Sequence, residues 1–82
     1  MPKFRKKPVV IEAVQYTGRN AMDILAFAQT SEISEDLGGG IEIPTLEGTM
    51  RADIGDWIIR GVKDEFYPIK NDIFLVTYDP VE

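Results

Sequence analysis

Residues 57–69, WIIRGVKDEFYPI, are the stretch that decides the fold of this chain. Trp57 to Val62 is rich in β-branched residues and is the strongest strand candidate in the sequence. Lys63-Asp64-Glu65 forms the turn, and Phe66 to Ile69 returns as a second strand. We therefore expect an antiparallel hairpin at the centre of the structure.

The register of this hairpin decides which side chains share a face. A three-residue loop at 63–65 predicts three cross-strand pairs, namely Val62 with Phe66, Arg60 with Pro68, and Ile58 with Lys70. One face then carries those six residues, and the other carries Trp57, Ile59, Tyr67 and Ile69. We expect the second face to be the core. The first face is apolar with two cations, which indicates an oligomer interface or a site for a small anion, and ordinary packing within the chain stays an alternative. A bulge in the hairpin would shift Arg60 and dissolve such a site.

The other elements follow on either side of the hairpin. We predict a central strand over 9–16, a helix over 21–30 capped by Asn20, and a hairpin of 41–45 with 49–53. Residues 31–40, which include Gly38-Gly39-Gly40, read as a flexible connector, although three adjacent glycines could also form an anion-binding nest. Residues 71–78 suit either a helix or a strand. The predicted fold is a single α+β domain over residues 1–82. It consists of a small antiparallel sheet or partly open barrel of about four to six strands with one main helix.

Composition argues against catalysis. The chain has 82 residues, a net charge of -5, and neither Cys nor His. It therefore lacks a thiolate nucleophile, a Cys/His zinc site and the commonest near-neutral acid or base. Its 14 acidic residues are scattered without a calcium-loop spacing. We expect a protein that is not an enzyme and that holds no metal or other cofactor.

The charges are distributed unevenly along the chain. Residues 1–7 form a basic arm with four positive charges, whereas the rest carries five basic and 14 acidic side chains, a net charge of -9. A body of this charge would repel duplex DNA. The longest apolar run is Ile24–Ala28, five residues against the roughly 20 that a membrane span needs. We therefore expect no duplex nucleic acid and no membrane as partner, and a location in the cytoplasm.

Several blocks of the sequence resemble a family of small proteins from tailed bacteriophages and prophages. The resemblance rests on 4–13 (FRKKPVVIEA), 15–18 (QYTG), 43–48 (IPTLEG), 55–63 (GDWIIRGVK), 65–68 (EFYP), Lys70, 72–74 (DIF) and 77–78 (TY). Residues 31–40 are the part least like that family, and Ile69 stands where its members often have Cys. Because members are mostly of unknown function, the resemblance implies a phage origin but no reaction.

A phage origin favours a function in binding. The resemblance implies a counter-defence protein in the host cytoplasm that sequesters a nucleotide-like immune signal, such as a cyclic nucleotide or cyclic ADP-ribose, between subunits of a homo-oligomer. The residues expected to bind this signal are Arg60, Phe66, Tyr67 and Lys70, assisted by Lys6 and Lys7 from the basic arm. The alternative is a protein–protein interaction module that inhibits a host defence protein or serves as a minor virion component. A third possibility, a metal-dependent hydrolase acting on nucleotides, has only the scattered carboxylates in its favour.

Overall fold

Two three-stranded antiparallel sheets and two helices make up the fold, and the computed structural model describes residues 1–4, 9–30 and 32–81. The elements are β1 (Glu12–Gln15), α1 (Ala21–Ala28), β2 (Ser34–Glu35), β3 (Ile41–Thr45), β4 (Gly48–Ala52), β5 (Trp57–Arg60), β6 (Phe66–Ile69) and α2 (Asn71–Thr77). Sheet A has the strand order β1-β5-β6, and sheet B has the order β2-β3-β4. The predicted α+β class is confirmed. Within the described residues, however, the six strands form two sheets rather than one, and α2 adds a second helix.

The central hairpin forms as predicted, but its register differs by two residues. Arg60 lies opposite Phe66, and the next residue outward, Gly61, donates its amide N–H to the carbonyl of Glu65 at 2.7 Å. The loop is therefore Val62-Lys63-Asp64, three residues long as expected but one position earlier in the chain. Asp64 makes this possible because it adopts a left-handed backbone conformation, φ 61°, which Asp tolerates better than most residues. A shift of two residues preserves the alternation of side chains, so the membership of each face is as predicted.

The predicted core face is buried at Ile59, but the opposite face, which was expected to form a site, is buried as well. Ile58 is 0% exposed and belongs to the main core, which lies between the two sheets and α1. That core consists of Tyr16, Ile24, Ile41, Ile43, Ala52 and Ile58. The face that was expected to form an external site therefore packs inward, because β6 lies against β3 and β4 of sheet B.

α2 packs against the Trp57 end of the opposite face of sheet A. Trp57 stacks on Phe74 with ring centroids 4.1 Å apart and planes within 8°. The indole N–H of Trp57 also donates to Oδ1 of Asn71 at 2.8 Å. Ile59, on this same face, is 0% exposed. Residues 71–77 are thus helical, although the sequence alone suited either a helix or a strand. Sheet A is apolar on both faces because side chains on both faces are buried.

The start of the chain differs from the prediction in two respects. β1 begins at Glu12 rather than Val9, and α1 ends at Ala28, where Gln29 turns the chain in a left-handed conformation. Asn20 precedes α1 as expected but makes no side-chain cap. Its amide instead accepts from the N–H of Thr17 at 2.9 Å and donates to the carbonyl of Gln15 at 2.8 Å. The side chain of Asn20 therefore shapes the turn between β1 and α1.

The turns of sheet B and the turn that leads to β5 are close to the predicted ones. β3 and β4 pair up to Thr45 and Gly48, so the hairpin tip is Leu46-Glu47, one residue earlier than expected. Gly55 has φ 98°, a conformation that favours glycine, and its N–H donates to the carbonyl of Tyr16 at 2.7 Å. This bond joins the turn before β5 to the end of β1.

Candidate functional site

The main concave feature is a cleft of about 330 Å³ between the β3–β4 hairpin and β6. Its lining comprises Thr45, Leu46, Glu47 and Met50 from the hairpin, together with Glu65, Phe66 and Tyr67 at the start of β6. We call it the β6 cleft. Phe66 and Tyr67 are neighbours and point to opposite faces of β6, so the cleft lies over the open edge of sheet A. Most of its surface is apolar, as is usual for a binding pocket.

The aromatic wall of the β6 cleft is held by contacts behind it. The ring of Phe66 meets that of Phe27 in α1 edge to face, with centroids 5.5 Å apart. Tyr67 is only partly exposed, and burial together with its hydrogen bond to Tyr78 raises the pKa of Tyr67 to about 12. Both rings therefore have contacts within the chain that restrict their rotation, and such restriction lowers the entropy cost of binding.

The opposite wall of the cleft is an exposed aliphatic side chain. Leu46 is 86% exposed at the tip of the β3–β4 hairpin, and Met50 further along β4 is 38% exposed. A hairpin tip is usually polar, so a solvent-exposed leucine at this position is unusual. The neighbouring Glu47 is also exposed.

A cleft of about 240 Å³ meets the first at Met50 and is lined by Arg51 and Lys70. Two further clefts adjoin the first on the side of Glu65. One, of about 220 Å³, shares Leu46, Glu65 and Phe66 with it, and the other, of about 270 Å³, shares Glu65 and Tyr67. Glu65 lies at the junction of all three, and its Oε2 accepts from the backbone N–H of Lys63 at 2.9 Å. The three clefts therefore form one continuous grooved surface around the start of β6.

Arg60, the first predicted ligand-binding cation, is bound by acidic side chains. Its Nε and Nη2 donate to Oδ1 of Asp64 at 2.9 and 2.8 Å, and its Nη1 lies 3.3 Å from Oε1 of Glu12. The guanidinium fork that was expected to hold a phosphate is thus engaged by two carboxylates of the same chain.

Lys70, the second predicted cation, lies at the far end of β6. Arg60 is paired with the first residue of that strand and Lys70 follows its last, so about 13 Å of strand separates them. Nζ of Lys70 donates to Asp53 at 2.8 Å and to Asp56 at 2.9 Å, and these hydrogen bonds raise the pKa of Lys70. The structure therefore brings the aromatic pair Phe66 and Tyr67 together, but it does not bring the two cations together.

Lys70 belongs to a longer chain of alternating charges. Arg51 on β4 bridges Asp36 and Asp53, and Asp53 in turn meets Lys70, whose hydrogen bond lowers the pKa of that carboxyl below its ordinary value. This ion-pair chain, Asp36–Arg51–Asp53–Lys70–Asp56, links the loop before β3 to the start of α2. Its members neutralise one another, which indicates a structural role.

The glycine-rich segment binds an anion of its own chain. The backbone N–H groups of Gly38 and Gly40 donate to Oδ1 of Asp36 at 2.9 and 3.0 Å. The hydrogen bond from Arg51 is the main reason why the pKa of Asp36 is lowered to about 2, and the two amide hydrogen bonds lower this pKa further. The segment predicted as a flexible connector therefore contains the short strand β2 and a turn built around Asp36. The amides that might have bound a phosphate are occupied by this carboxylate.

The remaining predictions concern Lys6 and Lys7, metal binding and membrane association. Lys6 and Lys7 lie outside the described residues. Among the residues that are described, no three carboxylates converge as metal ligands would. Neither helix in that part of the chain is long and apolar enough to cross a bilayer.

Comparison of the chain with protein-family models, with curated proteins and with solved structures finds no match. The resemblance to phage proteins stays a prediction. The function therefore has to be argued from the β6 cleft.

Sequence reasoning found Phe66 and Tyr67 but missed Thr45, Leu46, Glu47 and Met50, because it did not pair the two hairpins. The one signal available was a leucine at the tip of the β3–β4 hairpin.

Proposed function

We propose that this chain is a non-enzymatic protein-binding module that takes an apolar side chain of its partner into the β6 cleft. The observation that carries the proposal is the cleft itself, with rigid aromatic rings on one wall and the exposed Leu46 on the other. Anchors of this kind, seated in apolar pockets, dominate the energy of most protein interfaces. The resemblance to phage proteins supports a bacterial host protein as the partner, with inhibition of a defence protein or an accessory role in the virion as the outcome.

The charges favour a protein over a nucleotide. The lining of the β6 cleft contains Glu47 and Glu65 and, among the described residues, no Lys or Arg. A phosphate placed there would be repelled by both carboxylates. Arg60 would have to leave Asp64 and Glu12 before it could serve such a ligand.

Sequestration of a nucleotide-like immune signal is the second candidate. It is supported by the two aromatic residues at the cleft and by a volume at the lower end of the range for small-molecule sites. In this proposal a base stacks on Phe66 or Tyr67, and homo-oligomerisation supplies cations from another subunit. Calorimetry against cyclic dinucleotides and cyclic ADP-ribose isomers, with light scattering for the oligomeric state, separates it from the first.

The test of protein binding uses two leucines of similar exposure. Leu46→Asp places a charge at the mouth of the cleft, and Leu37→Asp places the same charge in the loop before β3, where Leu37 is 109% exposed. Affinity capture from bacterial lysate should recover the same protein with the wild type and with Leu37→Asp, and lose it with Leu46→Asp. Recovery of that protein by all three would refute the assignment of the cleft, and recovery of none, with a nucleotide bound instead, would favour the second candidate.

A further inference from the structure

The β6 cleft and its two neighbours on the side of Glu65 have a distinctive balance of charge. The 220 Å³ cleft adds Asp64 to its share of Glu65, and the 270 Å³ cleft adds no acid beyond Glu65. Across the three linings there are three carboxylates, Glu47, Asp64 and Glu65, and no basic side chain of a described residue. The surface is therefore apolar at its floor and negative at its rim.

The three carboxylates are not equally available. Asp64 is bound to Arg60, so its charge is already compensated. Glu47 and Glu65 form no ion pair within the described part of the chain, although Glu65 accepts one backbone hydrogen bond. Two uncompensated negative charges thus flank the rings of Phe66 and Tyr67.

This combination matches one class of side chain. Lys and Arg carry a long apolar stem that packs along aliphatic and aromatic surface, while the charged head stays at the polar edge. Here the stem would lie between Leu46 and Phe66, and the head would reach Glu47 or Glu65. An aromatic face adds a cation–π attraction within about 6 Å of its centre. A neutral aliphatic side chain would gain the first contact but would form no ion pair with either carboxylate.

We propose that the partner presents a basic segment, with an Arg or Lys side chain flanked by apolar residues, to the β6 cleft. This inference rests on the proposed function and specifies the chemistry of its partner. Charge complementarity at the rim gives specificity and speeds association, while the apolar floor gives most of the affinity. The net charge of -5 for the whole chain acts in the same direction at longer range.

The experiment compares three synthetic peptides that differ only at the central residue: acetyl-Leu-Arg-Leu-amide, acetyl-Leu-norleucine-Leu-amide and acetyl-Leu-Glu-Leu-amide. Each is titrated into ¹⁵N-labelled full-length protein, and amide shifts of Leu46, Met50 and Phe66 report binding in the cleft. We expect the affinity order arginine, norleucine, glutamate. Glu47→Gln and Glu65→Gln should each weaken the arginine peptide roughly 1.4-fold to fivefold and leave the norleucine peptide unchanged.

The control variant is Glu35→Gln, which removes the same charge from an exposed position on β2 at the other edge of sheet B. Because salt screens an exposed charge at this distance, the affinities of all three peptides should stay within about 1.5-fold of the wild-type values. Gln at position 65 keeps an oxygen to accept the hydrogen bond from Lys63, so the loop should stay intact. Unchanged amide dispersion in the free variant verifies this.

The possible outcomes distinguish failure of the basic-partner inference from failure of the proposed protein-binding function. If arginine and norleucine peptides bind the cleft equally and the Gln variants change neither, the cleft binds apolar anchors and the basic partner is wrong. If the glutamate peptide binds best, the charge argument is overturned. If no peptide shifts the cleft amides at millimolar concentration, both the basic partner and the protein-binding function fail.

Discussion

Two adjacent isoleucines test whether sheet A is covered on both faces. Ile58 and Ile59 are neighbours on β5, point to opposite sides, and are each 0% exposed. Ile58 belongs to the core between the sheets, and Ile59 lies on the face against which α2 packs. We expect Ile58→Ala and Ile59→Ala to destabilise the protein by similar amounts.

The magnitude follows from the atoms removed. Each substitution deletes three carbon atoms, about 2.4 kcal/mol at roughly 0.8 kcal/mol per buried methylene, and the remaining cavity brings the usual total to about 2–5 kcal/mol. A domain of this length has a free energy of unfolding of about 4–12 kcal/mol. A loss of about 3 kcal/mol should therefore lower the Tm by roughly 12–24 °C.

The assay is thermal and urea unfolding followed by circular dichroism, with Val62→Ala as control. Val62 lies in the loop after β5 and is 66% exposed, so its truncation should change stability by less than about 0.5 kcal/mol. A loss below about 1 kcal/mol for Ile59→Ala, beside a large loss for Ile58→Ala, would show that α2 does not cover the outer face. A small loss for Ile58→Ala would refute the packing of the two sheets.

Three further predictions concern single contacts. Phe74→Ala removes the ring stacked on Trp57, the sole tryptophan, so its fluorescence should shift to the red and the free energy of unfolding should fall by about 1–3 kcal/mol. An unchanged spectrum would contradict the stack. The pKa of Asp36, about 2, lies below its unfolded value, and the pKa of Asp53 is lowered as well, so these carboxylates stabilise the fold above about pH 4. The urea midpoint should therefore fall as the pH drops from about 4 toward 2. This fall should be less steep in Asp36→Asn. Burial raises the pKa of Tyr16, and burial with the hydrogen bond to Tyr78 raises the pKa of Tyr67 to about 12, so ultraviolet titration should lose a late-ionising tyrosine in Tyr67→Phe. A folded-state pKa above the unfolded value of about 10 means that stability is lost as the pH rises, so the loss of stability between pH 8 and pH 11 should be smaller in Tyr67→Phe than in the wild type.

The sequence predicted the parts of the fold that local patterns determine. The β-branched run at Trp57 to Arg60 and the helix predicted around Ile24 and Ala28 both correspond to observed elements. These follow from chain periodicity and from the backbone preferences of single residues, which do not require knowledge of distant contacts.

The hairpin register and the core face could not be obtained in this way. The loop position depends on Asp64 accepting a left-handed conformation, and either of two three-residue loops suits the sequence. Both faces of sheet A are apolar, so only the packing of β6 on β3 and β4 shows that Ile58 faces the main core. The status of Arg60 and Lys70 likewise depends on carboxylates distant in sequence, such as Glu12 for Arg60 and Asp53 for Lys70.

The candidate site illustrates the same limit. Phe66 and Tyr67 were identified as ligand-facing aromatics from one hairpin, but the wall that completes the cleft comes from the other hairpin. Arg60 and Lys70, two of the cations assigned to the site, are bound by acidic side chains, which supports the proposal of a cationic side chain rather than an anion as the ligand.

Site-specific photo-crosslinking tests the central claim, that the β6 cleft is the surface that binds a partner protein. A photoreactive benzoylphenylalanine replaces Leu46 in one sample and the more exposed Leu37 in another, and each is irradiated in bacterial lysate. We expect a discrete covalent adduct from position 46 that excess wild-type protein competes away, and none from position 37. An adduct of equal yield from both positions, or from position 37 alone, would contradict it.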